Sequence, residues 1–470
     1  LALPAGETGA FVRKAKLAVQ FAEGPFRADR TSFQALVPTS SPGALPDLTR
    51  VGGRTAWLTG AGFDALPKGA GLALAAVPAR QDWNTRFDDE GRDSPLARMN
   101  SRLAGLEALT AAGAWAVKNP GLRPLVVAAS GGWGLARSAL PEVTVGAGSP
   151  VTLAQVLAMG TVGYGTPAVR LDLTGLGNPE TRGAAFQSLL SWLMAPVLTL
   201  DGGNDPAGLW ASLGDADQKR LKAILDRRSQ FKPLFDQLAR LSSLTGRPAW
   251  SPVWFAAGSD DLARSAGDEF LLGDGLLVAP VAGASRSVYL PGPGVWFDFW
   301  SGEEFGGGKA YQVEAKADRP LLFARGGALV PLREPEVFDE KNVYNPLTVH
   351  VFPGGRGSGA YCLDDGTTQG WKQGEAWETR LTFDYAQKEM TLEHEAVSFG
   401  RFKPDPYLLY RLHNVFRPRQ VKIDGKAIPL FGDSWGITDT DRSAAWYESD
   451  HTLLVKTFRP EREQTLQISF

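Results

Sequence analysis

All four histidines of the chain (His350, His394, His413, His451) fall in its last third, and Cys362 is its single cysteine. Before His350, neither a Ser-His-Asp triad nor a His-rich metal site can be assembled. One cysteine excludes an internal disulfide framework and a Cys-cluster metal site. Chemistry in the upstream two thirds must therefore rest on carboxylates. Asp201-Gly202-Gly203-Asn204-Asp205 has the composition of a metal-binding loop but lacks the spacing of an EF-hand loop, and reads as a turn. Asp364-Asp365-Gly366 offers a carboxylate pair for calcium or a sugar, yet acidic residues before glycine are ordinary turn residues, and the turn is preferred. The rings from Trp296 to Trp300 have the chemistry of a sugar-stacking platform, with packing the preferred reading. No metal and no cofactor are expected.

The elements around these residues change character along the chain. Residues 1–97 carry short alternating runs such as Lys16-Leu17-Ala18-Val19-Gln20-Phe21, divided by Gly/Pro/Ser clusters, and read as small strands and turns. From Arg102 to Lys118, Leu103, Leu106, Leu109 and Ala112 recur at helical spacing. A buried strand is expected at Leu125–Ala129, a helix at Leu153–Met159 and a strand at Val169–Leu173, with further helices at Ala184–Met194 and Gln218–Leu244. Strand and helix alternate, the pattern of βα units. Beyond residue 255 helical periodicity stops, and strand-like runs such as Leu347-Thr348-Val349-His350-Val351-Phe352 continue to the C-terminus.

A chain of 470 residues suggests two to four domains, and 43% hydrophobic with 21% charged residues is ordinary for a globular protein. A net charge of −2 gives no footprint for nucleic acid, and no run of about twenty apolar residues marks a transmembrane segment. Leu1 in place of a methionine fits either a product of signal removal or a shortened chain. No location follows from that, with a secreted or cell-envelope one slightly favoured.

Several motifs between Gly267 and Leu332 resemble the segment after the catalytic barrel of family 31 glycoside hydrolases, the α-glucosidase and α-xylosidase family. They are Asp268-Glu269-Phe270-Leu271-Leu272-Gly273, Leu276-Leu277-Val278-Ala279-Pro280-Val281, Trp296-Phe297-Asp298-Phe299-Trp300-Ser301-Gly302-Glu303 and Arg319-Pro320-Leu321-Leu322-Phe323-Ala324-Arg325-Gly326-Gly327, in family order. From about residue 100 onward the match is nearly continuous, and before residue 100 it is weaker. Thr59-Gly60-Ala61-Gly62-Phe63 and Trp83-Asn84-Thr85 resemble pieces of the family's N-terminal β-sandwich. The resemblance implies a multidomain α/β plus all-β protein. Its domains would be an N-terminal β-sandwich over 1–97, a partial or remodelled (β/α)8-barrel over 98–255, a proximal β-domain over 256–338 and a distal β-sandwich over 339–470. A complete barrel takes about 250 residues, far more than the second of these stretches.

Hydrolysis in this family needs a nucleophilic carboxylate and an acid/base. The nucleophile motif Trp-x-Asp-Met-Asn-Glu is absent; in its nearest string, Trp83 to Asp88, Thr85 would stand for the aspartate. The acid/base motif falls on Val145 to Pro150, with Ala147 or Ser149 in place of the acid, and neither is a proton donor near neutrality. The family's strand arginine falls on Ala129 and its Arg-Asn-His string on Thr199-Leu200-Asp201. Only Asp172 coincides with a family active-site aspartate. It is the catalytic candidate, weighed against a leftover carboxylate paired with Arg170 or a backbone amide, the preferred reading. Asp172, Asp201 and Trp133 are the substrate-binding candidates. The leading expectation is a non-hydrolytic relative kept as a carbohydrate-binding or scaffold protein. The alternatives are an active α-glycosidase with relocated carboxylates, Asp172 with Asp201 or Asp205, and a structural subunit whose incomplete barrel another protein chain covers.

Overall fold

The computed structural model describes residues 103–122, 126–128, 140–145 and 153–161, and residues 166–470 with short breaks, the longest at 399–404 and 433–440. Upstream of 103 it describes the strand segments 36–39 and 71–74 and Leu58. The described residues divide into two compact units, with the border inside one helix at Leu221/Lys222 and a short piece at 368–369 belonging to the first unit.

The first unit is built on a six-stranded sheet: β1 (Leu36–Thr39), β2 (Gly71–Leu74), β3 (Val126–Ala128), β4 (Leu140–Val145), β5 (Ala168–Asp172) and β6 (Val197–Asp201). The strands lie in chain order and each neighbouring pair is parallel. Parallel neighbours need crossover connections. Here α1 (Leu103–Lys118) lies between β2 and β3, α2 (Leu153–Thr161) between β4 and β5, and α3 (Arg182–Trp192) between β5 and β6. An uninterrupted order is that of neighbouring strands in a barrel wall, whereas a doubly wound sheet reverses its order at a switch point. β1 and β2 fall within 1–97, where a separate β-sandwich was expected. β1 pairs in parallel with β2, and β2 with β3, so both segments extend the α/β sheet.

Local sequence accounts for the helices. Ala111 and Trp115, four residues apart, are buried on one face of α1, and the Asn119 amide donates to the Trp115 carbonyl at its end. Pro206 sits in the first turn of α4 (Pro206–Ser212) behind Asp205, whose side chain accepts from the Gly208 N–H. α5 (Asp215–Gln230) places Asp215 and Asp217 in its first turn and Arg227 and Arg228 in its last, each sign complementing the helix dipole. The single helix expected over 218–244 is two. Pro233 cannot continue a helix and instead opens α6 (Lys232–Thr245), which ends on Gly246 at φ 73°.

The second unit is mostly β. β7 (Trp250–Pro252), β8 (Phe270–Leu272), β9 (Leu276–Ala279), β11 (Val295–Asp298), β12 (Glu304–Gly306) and β14 (Leu321–Arg325) form an antiparallel sheet ordered 12-11-14-9-8-7. The ribbon of β10 (Ser285–Leu290) and β13 (Lys309–Glu314) shares its core of Val253, Leu277, Val288, Trp296 and Phe323. The distal part has two six-stranded sheets around one core. The first contains β15 (Leu329–Arg333), β18 (Leu347–Val351), β22 (Tyr407–Leu412), β25 (Leu430–Phe431), β26 (Ala444–Tyr447) and β27 (Leu453–Phe458). The second contains β19 (Arg356–Leu363), β20 (Trp377–Ala386), β21 (Glu389–Ser398), β23 (Gln420–Ile423), β24 (Lys426–Ala427) and β28 (Gln464–Ser469). Val349, Tyr361, Trp377, Leu392, Tyr410 and Val455 from both sheets meet in that core. A two-stranded ribbon of β16 (Glu336–Asp339) and β17 (Asn342–Tyr344) stands apart from them. β7 pairs within the proximal sheet and β15 within the distal one.

Candidate functional site

Catalytic residues on parallel α/β sheets gather at the C-terminal ends of the strands. Here β5 ends on Asp172 and β6 on Asp201, and the two residues are register partners. Side chains alternate along a strand. Val169 and Leu171 are fully buried on one face of β5, while Arg170 and Asp172 on the other are half-buried and exposed. On the same face of β6 stand Thr199, buried, and Asp201. α3, which packs against β5, contributes Phe186, Leu189 and Leu190 to the core.

Each acidic group at this rim is already bonded. Asp172 Oδ1 accepts from the Thr174 N–H at 2.8 Å, closing the turn after β5. Asp201 Oδ2 accepts from Arg170 Nε and lies 2.9 Å from its Nη2; Asp201 Oδ1 accepts from the Gly203 N–H at 2.9 Å. The Asp201 carbonyl also accepts from the Leu173 N–H at 2.8 Å, joining the two loops. The guanidinium fork suits a carboxylate in this way. Arg170 thus pairs with Asp201, and a backbone amide serves Asp172. Asp205 is the α4 cap.

The loop after β6 depends on one glycine. Gly203 has φ 73°, and a Cβ there would lie 2.9 Å from Thr174 Cγ2. Gly203→Ala is expected to destabilise the protein by about 1–3 kcal/mol, from the left-handed backbone and the contact together. Urea unfolding checks this, and an unchanged midpoint would remove the constraint.

Trp133, Ala129, Ala147, Ser149 and Thr85 lie outside the described residues. Asp364 Oδ1 accepts from the Gly366 N–H at 2.7 Å, a turn bond. Trp296 is buried with its indole N–H on the Pro291 carbonyl, and Trp300 donates to the Pro320 carbonyl beside Phe299. These rings are packed. Among the described residues, no group of three or more His, Cys, Asp or Glu is placed to hold a metal ion.

Sequence reasoning missed two buried charged clusters. In the first, His350 Nδ1 lies 2.8 Å from His413 Nε2, and Glu334 Oε2 lies 3.2 Å from His350 Nε2 and 3.3 Å from Arg411 Nε. Phe299 stacks on His350 and Phe352 on His413. In the second, Glu269 accepts from the Tyr289 N–H and pairs with Arg286 at 3.0 Å. The alternation Val349-His350-Val351 was the available signal for the first, since it turns the imidazole away from the sandwich core.

Comparison with known proteins fixes the lineage. Residues 246–330 match the glycosyl hydrolase family 31 C-terminal domain. An alpha-xylosidase of Saccharolobus solfataricus is 28% identical over 236 residues, covering 48% of this chain and 32% of that protein. Alpha-glucosidase 2 of Bacillus thermoamyloliquefaciens is 28% identical over 225 residues, covering 46% of this chain and 27% of that protein. A family 31 dextranase of Flavobacterium johnsoniae, solved with glucose, superposes with a TM-score of 0.72 at 17% identity over 90% of this chain and 56% of its own. The cycloalternan-forming enzyme of Listeria monocytogenes gives 0.73 at 18% identity, over 90% of this chain and 40% of its own. Residues 246–330 carry the C-terminal domain of glycoside hydrolase family 31, and the chain is similar to members of that family beyond it. The matches span about a third of these curated relatives and about half of the solved structures. No described helix is long and apolar enough to cross a membrane.

Proposed function

We propose that this family 31 member is non-hydrolytic and binds carbohydrate. The observation that carries the reading is the state of Asp201. Both of its oxygens act as acceptors, one toward Arg170 and one toward the Gly203 N–H. A carboxyl whose oxygens are both turned to N–H donors is poorly placed to serve a leaving oxygen, and Asp172 alone cannot serve as both nucleophile and acid. The sequence agrees, since the family's nucleophile and acid/base strings are replaced. Asp172, Asp201 and Arg170 stand on one sheet face and have hydroxyl-binding chemistry. The dextranase relative was solved with glucose, and a glucose-type ligand is the natural probe.

The expected result is no turnover of aryl α-glucosides or α-xylosides, with weak binding of glucose lost in the Asp172→Asn, Asp201→Asn double variant. Turnover that disappears in Asp172→Asn would overturn the reading. It would favour the relocated pair, which the facing register of Asp172 and Asp201 supports.

A further inference from the structure

Exposed large apolar side chains are few among the described residues, and three of them, Trp254, Phe255 and Leu262, fall in one short stretch. That stretch is rigid. Val253 is fully buried and anchors a 3₁₀ turn over Val253–Phe255; the Asp260 carboxylate caps α7 (Asp261–Ser265), accepting from the Leu262 and Ala263 N–H groups. The Tyr289 hydroxyl donates to the same Asp260. Arg264 donates to the Gly258 carbonyl through Nε at 3.0 Å and to Asp261 Oδ1 at 2.6 Å, tying helix to turn. The two aromatic rings are therefore held in place, at 42% and 41% exposure, with centroids 6.2 Å apart and planes at 59°.

Polar groups of the same stretch are available too. Trp296 and Trp300 both spend their indole N–H on a carbonyl. Among the described residues nothing accepts from the Trp254 N–H, and Asp261, 90% exposed, uses only Oδ1. An exposed indole with a free N–H, a second ring tilted against it and an exposed carboxylate on the helix that follows form a recognition set. A pyranose with all-equatorial hydroxyls presents an axial C–H face that stacks on such a ring, while its rim hydroxyls meet the indole N–H and the carboxylate. We infer that Trp254, Phe255 and Asp261 form a surface site for glucopyranose chains, separate from the Asp172–Asp201 rim. For its ligand class the inference rests on the carbohydrate-binding reading above. It differs from that reading in location and in relying on stacking.

The test is titration of the full chain with maltoheptaose and isomaltotriose, following tryptophan fluorescence and calorimetric heat. Trp254→Ala is expected to weaken binding about tenfold or more, the scale for removing a dominant aromatic contact. Asp261→Asn is expected to weaken it several-fold, and the Asp172→Asn, Asp201→Asn double variant to leave this site unchanged. Trp254→Phe keeps a ring, folds with the least disturbance, and is expected to fall between wild type and Trp254→Ala. Binding that Trp254→Ala leaves intact and the double variant abolishes would overturn this site while sparing the proposed function. No binding of either glucan would overturn both. Concentration-dependent self-association in light scattering, lost in Trp254→Ala and unaffected by glucan, would make the patch a protein interface and equally overturn the inference.

Discussion

Glu334→Ala is expected to lower the unfolding free energy by about 3–5 kcal/mol at pH 7, the scale for breaking a buried ion pair from one side. The side chain keeps 26% exposure, but its Oε2 is out of contact with solvent, against His350 and Arg411. Among the described residues, removing the carboxylate leaves Arg411 with the more distant Glu448, at 3.9 Å. Burial pushes the Glu334 carboxyl up, but His350, Arg411 and His413 together outweigh it and hold it down at about 2, against an ordinary 4.5. A depressed carboxyl contributes stability that is complete above about pH 4.5 and is lost as pH falls toward 2. The variant should therefore lose its acid dependence in that window as well as its stability at neutrality.

His413 adds a second window. Burial drives its imidazole well below the ordinary 6.5, with His350 and Arg411 adding to the effect and Glu334 opposing it. Below 6.5 the unfolded chain takes a proton that the folded chain refuses, so stability declines as pH falls from there. Urea midpoints from pH 7 to pH 3 resolve the two contributions. Equal acid slopes in wild type and Glu334→Ala would show that this cluster does not hold the fold.

The contrast between this cluster and the elements around it shows what a linear reading can reach. Ala168–Asp172 and Leu347–Val351 were legible because alternation and β-branched residues carry strand propensity locally. The break at Phe231-Lys232-Pro233 was missed because apolar spacing continues smoothly through it, although the proline itself carried the signal. β2, Gly71-Leu72-Ala73-Leu74, has no β-branched residue, and its membership of the parallel sheet comes only from pairing with β1 and β3. At the rim, Asp172 takes a backbone amide, one of the two partners expected for it. Arg170 is two residues from Asp172 along one strand, yet the sheet brings it to Asp201, thirty-one positions away. His350 and His413 are sixty-three positions apart, and only adjacent β18 and β22 make them neighbours.

Glu269→Gln is expected to act with the opposite sign to Glu334→Ala. Glu269 is 2% exposed, and burial raises its carboxyl to about 7 from an ordinary 4.5, with the Tyr289 N–H and Arg286 opposing. Because the folded value is the higher one, its contribution to stability is fully present below about 4.5 and is lost as pH rises through 7. A shift of that size corresponds to about 3 kcal/mol across the window. The glutamine can keep the acceptor for Tyr289, while Arg286 retains Asp268 at 2.9 Å and the Pro280 carbonyl at 2.6 Å. Unfolding at pH 5 and pH 8.5 should show wild type losing stability between them and Glu269→Gln holding level, the variant equalling or exceeding wild type at the higher pH. A variant that tracks the wild-type decline would place the titrating group elsewhere. Glu269 belongs to the Asp268–Gly273 string that marks the lineage most clearly, and its bonds to the β10 backbone and Arg286 give that string a structural reason to be acidic that owes nothing to catalysis.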